Sequence, residues 1–107
     1  MGDPARATSP ATVALANHLR QSGAKFYSAF WCPYCKQQQE LFGAAAKQLP
    51  LIECDPNGTN AQPALCVQAN IASFPTWEIK GQQYRGLLSL TELADLSGYS
   101  GSREFGQ

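Results

Sequence analysis

Two cysteines, Cys32 and Cys35, stand where the chain changes character. Ahead of them, residues 25–30 are short, aromatic and apolar, which reads as a buried strand. Behind Cys32, Pro33 suits the first turn of a helix, because its missing N–H is no loss there. The helix continues to about residue 48. Cys35, Gln39, Phe42, Ala46 and Leu49 share one face of it, and Gly43 is its one weak point. A strand feeding directly into a helix, with a second strand to follow, commits the chain to packed layers of both element types.

The remaining segments extend that pattern. Residues 8–21 read as a helix with Val13, Ala14, Leu15, Ala16 and Leu19 as its apolar stripe, and Gly23 is its stop. Residues 51–54 read as a strand. Residues 55–60, Asp-Pro-Asn-Gly-Thr-Asn, form a loop of turn residues. Residues 62–70 read as a short helix, with Pro63 in its first turn and Leu65, Cys66 and Ala69 as its apolar positions. Residues 76–80 and 83–86 pair as a hairpin across Lys80-Gly81-Gln82. Residues 91–96 close the chain as a helix before Gly98. The order α-β-α-β-α-β-β-α predicts an α/β fold with a mixed central sheet: a parallel part from the strand–helix–strand unit and an antiparallel edge from the hairpin. The predicted domain spans residues 8–98, with residues 1–7 and 99–107 as flexible termini.

At 107 residues the chain has room for one core. Eight basic residues cancel eight acidic ones, so no basic footprint for nucleic acid exists. No run approaches the roughly 18 apolar residues of a membrane helix, so this chain itself is not expected to enter a membrane. Residues 1–10 lack the apolar core of a signal peptide. The expectation is a domain excised from a longer protein.

Cys32, Cys35, Cys54 and Cys66 are separated by two, eighteen and eleven residues. Four cysteines allow three fully paired connectivities, and an even count in a small chain suits an oxidising compartment. A zinc site or an adaptor role for the four thiols is the rival reading. A zinc ribbon wants a second close pair, which Cys54 and Cys66 do not make, and the single histidine, His18, lies far upstream. At the helix start, Cys32 meets unpaired N–H groups and the positive end of the helix dipole. Both favour thiolate, so its pKa is expected below the ordinary value of about 8.5. Cys35, one turn further in, is expected to be less exposed and less acidic. Cys32 then attacks or is attacked, and Cys35 resolves the mixed disulfide. A CxxC in a β-α-β order reads as a redox motif.

Ser73-Phe74-Pro75-Thr76 precedes a strand. With Trp31-Cys32-Pro33-Tyr34-Cys35-Lys36, it resembles the thioredoxin superfamily, in which a cis-proline loop sits opposite the CxxC. A cis bond at Pro75 would turn backbone groups of Phe74 toward the site, where an extended substrate pairs with them. Cys-Pro-Tyr-Cys is also similar to glutaredoxin, but Ala29 stands where that family carries a basic residue and its paired glycines are missing. Phe26 stands where thioredoxin has a buried aspartate, which puts efficient reductase behaviour in doubt.

A closer resemblance runs from about residue 25 to 96. Phe30-Trp31-Cys-Pro-Tyr-Cys, then Ile52-Glu53-Cys54-Asp55-Pro56-Asn57-Gly58, Cys66 and Phe74-Pro75-Thr76-Trp77 resemble the thioredoxin-like domain fused to vitamin K epoxide reductase homologues of cyanobacteria and chloroplasts. The resemblance implies a thiol–disulfide oxidoreductase with Cys32 and Cys35 as its catalytic pair. Trp31, Pro33, Tyr34, Phe74 and Pro75 would support them. It implies a place in the periplasm or thylakoid lumen and substrate proteins bearing thiols. It also implies a membrane domain whose loop cysteines reoxidise the pair and pass electrons to quinone. No cofactor or metal is expected on this chain itself. The alternatives are a thioredoxin- or glutaredoxin-like reductase or isomerase, and a metal-binding or adaptor domain. In this family setting Cys54 and Cys66 fit a structural disulfide across the 55–62 loop; a second redox pair that relays electrons is the competing role.

Around the motif, Trp31 either shapes the substrate surface or packs. Tyr34 is expected to be exposed and to tune access. Lys36 either favours a thiolate or is a solvated charge. Glu53 is a candidate for proton transfer, and His18 a polar residue of the first helix. Phe42, Leu49, Trp77 and Ile79 are core candidates.

Overall fold

The computed structural model describes residues 8–106. Its centre is the aromatic strand β1, Lys25–Ser28. Strand β2, Leu51–Glu53, lies parallel to it with Tyr27 opposite Ile52 and Ser28 opposite Glu53. Strand β3, Thr76–Ile79, lies antiparallel on the other side with Phe26 opposite Trp77. Strand β4, Gln82–Arg85, completes the sheet in the order β2-β1-β3-β4. The β3–β4 turn is carried by Lys80 and Gly81, both at positive φ (53° and 78°), the backbone a tight hairpin requires. With helices on both faces of this mixed sheet, the chain has a thioredoxin-like fold.

Side-chain alternation along β1 divides the interior in two. Phe26 joins Trp77 and Ile79 on one face, its ring stacked on Trp77 at 4.8 Å. Helices α1 (Pro10–Gln21), α2 (Pro33–Phe42) and α4 (Leu90–Ser97) cover that face through Leu15, Leu19, Phe42 and Leu93. Tyr27 points the opposite way into a smaller cluster with Ile52, Cys54 and Cys66, the last from α3, Pro63–Gln68. Helix ends follow sequence chemistry. Ser9 caps α1, and Ser89 with Glu92 forms a capping box on α4, whose end is Gly98 in the left-handed region.

Several expectations are corrected. The helix expected to reach residue 48 stops at Phe42, because Gly43 turns to φ +56°, and Gly43–Gln48 continues as a 3-10 turn. Its buried polar residue is Gln38, not Gln39. On α1, Val13 and Ala14 face outward, and Ala11, Thr12, Leu15, Ala16 and Leu19 face inward. Strand β1 ends at Ser28 rather than residue 30, since the amide of Cys32 bonds back to the carbonyl of Ala29 and turns the chain. The packed unit does not end at residue 98. Tyr99 and Phe105 are buried against the α1 face, and Thr12 Oγ1 donates to the carbonyl of Phe105 at 3.1 Å. Aromatic burial and a buried hydrogen bond outweigh the glycine- and serine-rich composition of that segment. The expectation of flexibility at residues 1–7 lies outside the described residues. His18 ties α1 to α4 through Ser97 O at 2.8 Å. No helix among the described residues is long and apolar enough to cross a membrane.

Candidate active site: a dithiol at a strand-to-helix junction

Strand β1 delivers the chain to the edge of the sheet, and the Ala29–Cys32 turn sets Cys32 as the N-cap of α2. The cap sulfur accepts the amide N–H of Cys35 at 3.1 Å. Pro33, in the first turn, has no N–H to orphan. Both thiols are free, so this is the reduced form. Cys32 and Cys35 are exposed by only 3% and 1%. The expected difference in exposure is therefore small, because capping turns the Cys32 sulfur inward over the helix end.

The surface around the dithiol is aromatic. Phe30, Trp31 and Tyr34 are each more than half exposed. The Phe74–Pro75 bond is cis. Trp31 meets the ring of Phe74 edge-on at 5.9 Å, so the residue before Cys32 touches the residue before Pro75.

Burial is the largest influence on the Cys35 thiol, pushing it up to about 11; the hydrogen bond to Cys32 and the charge of Cys32 act in the same direction. The Ser28 hydroxyl and the Ala29 amide oppose them. The folded chain thus holds the Cys35 proton to higher pH than the unfolded chain does. Unfolding releases that proton between about pH 9 and 11, so stability of the reduced chain falls with rising pH in that window. The loss is at most roughly 2 to 3 kcal/mol. Tyr27, raised by burial and then by Glu78, adds a loss common to both redox forms. The expected result is that urea midpoints of reduced and oxidised chains diverge between pH 8 and 11. Parallel curves would refute the assignment.

Cys54, just beyond β2, and Cys66 of α3 are joined by a disulfide with Cα atoms 5.8 Å apart. This bond withdraws two of the four thiols from any shared metal site. Among the described residues no group of three or more His, Cys, Asp or Glu is arranged to hold a metal ion. The closed loop spans a sequence separation of 12, worth roughly 3 kcal/mol through the unfolded chain. Cys54→Ala with Cys66→Ala is expected to lower stability by about that amount while thiol exchange survives. Exchange lost from a still-folded double variant would assign the pair a redox role instead.

The stapled loop also supports the dithiol turn. Buried Glu53 accepts the amides of Phe30 at 3.2 Å and Asp55 at 3.0 Å through one oxygen. Asp55 in turn accepts the Trp31 indole N–H at 2.7 Å and the Asn57 amide at 2.8 Å. Gly58 lies so close that a Cβ there would stand 2.5 Å from Glu53 Cδ. Glu53, read from sequence as a proton carrier, is engaged with backbone amides and is not among the groups acting on Cys35. Lys36 is exposed.

The tertiary contacts of three residues in this region are not legible in the sequence. Ser28 and Gln38 are polar residues buried by tertiary contacts, and their only sequence signal is a position on an inward face. Asp55 was read as a turn residue, which it is, and its second carboxylate oxygen is what reaches Trp31.

No protein-family model matches the chain. The chain is 44% identical over 97 residues to Thiol-disulfide oxidoreductase LTO1 of Arabidopsis thaliana. The match covers 87% of this chain and 26% of that protein, so the chain spans about a quarter of its relative's length.

Proposed function

We propose that the chain is a thiol–disulfide oxidoreductase domain that exchanges disulfides with substrate proteins through Cys32 and Cys35. The observation that carries this reading is the buried vicinal dithiol, with Cys32 capping α2 and accepting the Cys35 amide. An N–H aimed at sulfur suits the anionic form that exchange requires. The named activity of the 44% identical relative supports it.

In the oxidising direction a substrate thiolate attacks the Cys32 sulfur of the Cys32–Cys35 disulfide, and Cys35 leaves with a proton. A second substrate thiolate attacks the sulfur bound to Cys32 and forms the substrate disulfide. The domain has then gained two electrons and two protons and stands as the dithiol. We further propose that loop cysteines of a vitamin K epoxide reductase-like membrane domain reoxidise it, with quinone as the acceptor held by that domain. The site of action would be the periplasm or thylakoid lumen. The quarter-length match to a longer relative supports a chain that works beside further segments. The Cys54–Cys66 disulfide supports an oxidising compartment.

The test is the reduction potential of the Cys32–Cys35 couple, read in glutathione buffers by thiol alkylation. A potential between roughly −120 and −200 mV supports the oxidising role, and one near −270 mV supports a thioredoxin-like reductase. Absence of any titrating couple would overturn the redox reading and favour an adaptor domain. Phe26 in the core, stacked on Trp77, leaves no carboxylate at that position to serve a reductase.

A further inference from the structure

We propose that Asp55 is a positioning residue that sets substrate specificity. Its carboxylate holds the Trp31 indole against the cis-proline loop, and the aromatic face so built selects segments with an uncharged, apolar side chain beside the reacting cysteine. The inference rests on the exchange chemistry proposed above and names the kind of segment that chemistry accepts.

The two oxygens of Asp55 have separate tasks. Oδ1 accepts the amide of Asn57 at 2.8 Å. The Asp55 carbonyl accepts the amide of Gly58 at 2.9 Å, and the Asp55 amide donates to Glu53 Oε2 at 3.0 Å. The residue is thus anchored in its own loop, which the Cys54–Cys66 disulfide closes. Oδ2 is left for the Trp31 indole N–H, which it accepts at 2.7 Å, the short distance of a charge-assisted bond. The other side of the Trp31 ring meets Phe74 at 5.9 Å with the planes 84° apart, and Phe74 is the first residue of the cis bond. Trp31 therefore spans from the 55–58 loop to the cis-proline loop, gripped at both ends, although more than half of it is exposed. An indole N–H at such a surface finds water when Asp55 is absent, so the bond sets the orientation of the ring more than the stability of the fold.

The surroundings decide what this face takes. Cys32 is 3% exposed, whereas Phe30, Trp31 and Tyr34 each stand more than half in solvent. A thiolate that reaches the Cys32 sulfur brings its flanking side chains onto those rings. Residues 27–35 and 69–77, which carry the dithiol turn and the cis-proline loop, contain no Asp, Glu, Lys, Arg or His. Asp55 already spends one oxygen on Asn57 and the other on Trp31. A charged flank would lose water there without gaining a partner, and an apolar flank gains burial.

The probes are two synthetic peptides, each with two cysteines, one with leucine and the other with serine on both sides of the first cysteine. Dithiothreitol serves as a dithiol without flanks. A peptide thiolate attacks the Cys32 sulfur of the Cys32–Cys35 disulfide, and Cys35 leaves and takes up a proton. The second peptide thiolate then attacks the peptide sulfur of the mixed disulfide, and Cys32 leaves. The peptide is oxidised to its disulfide, and the chain gains two electrons and two protons. Acid quench, alkylation and mass spectrometry at Cys32 and Cys35 of the 107-residue chain give each rate, divided by that with dithiothreitol.

The wild-type chain is expected to prefer the leucine peptide about ten-fold. Asp55→Ala reduces that preference about five-fold. Trp31→Phe, which keeps a ring but removes the N–H, reduces it by a similar factor, and adding Asp55→Ala to Trp31→Phe changes it no further. Far-UV circular dichroism checks that each variant is folded. A wild-type chain without preference, or an Asp55→Ala chain that retains it, overturns the inference and leaves the exchange reading standing. An Asp55→Ala effect of equal size in the Trp31→Phe background assigns Asp55 to its loop alone, which also overturns the inference. A wild-type disulfide that exchanges with neither peptide nor dithiothreitol overturns the exchange reading and this inference with it.

Discussion

Cys32→Ser is expected to abolish disulfide exchange, lowering its rate at least about a thousand-fold, whereas Cys35→Ser stops turnover but leaves the first attack intact. The argument is positional. Cys32 occupies the N-cap of α2, where the helix end and the Cys35 amide both address its sulfur, and a serine oxygen there caps the helix equally well. The fold therefore survives the substitution while the nucleophile is lost. In Cys35→Ser no resolving thiol remains, so mixed disulfides accumulate on Cys32 and persist until an external thiol releases them. Non-reducing gels followed by mass spectrometry of the adducts measure both outcomes. Equal trapping by Cys32→Ser and Cys35→Ser would contradict the division of roles.

The second large effect concerns Gln38, which lies outside the chemistry. Its side chain is fully buried and joins three elements. Oε1 accepts the Trp77 indole N–H and the Leu88 amide, each at 3.0 Å, and Nε2 donates to the Leu88 carbonyl at 2.9 Å. Gln38→Leu keeps the approximate volume but strands the buried Trp77 indole N–H and takes the partner from the part-buried amide and carbonyl of Leu88. Each stranded group costs about 1–3 kcal/mol, and partial relaxation makes a total of about 3–5 kcal/mol the expectation. Urea denaturation measures it. Adding Trp77→Phe removes one stranded donor, so the double variant should lose less than the sum of the two single losses. A loss under about 1 kcal/mol in Gln38→Leu would show that the network is not a structural hub.

Much of the fold was legible because its signals are local. The run from Lys25 to Pro33, the Lys80-Gly81 turn and the glycines at 43 and 98 act through backbone preferences of a few residues. Helical spacing alone did not distinguish Gln38 from Gln39. Both lie three or four residues from Cys35 and Phe42, and only the waiting partners Trp77 and Leu88 select one. Composition misjudged the segment after Gly98, because it carries no record that Phe105 meets a buried face and Thr12 a carbonyl. Glu53 was noticed for its charge, yet the amides it holds belong to a turn twenty-three residues earlier and to its own loop.

Local chain chemistry locates the sulfur site: a cysteine at a strand-to-helix junction is an N-cap wherever the rest of the chain goes, and its neighbour one turn on faces inward. Tertiary structure alone decided which polar groups meet those sulfurs and hold their turn in place. The Glu53 carboxylate beneath Phe30 and the Asp55 oxygen on Trp31 are contacts between elements. Backbone preference acts over a few residues, whereas a buried hydrogen bond depends on which distant group the packed sheet and helices bring within about 3 Å.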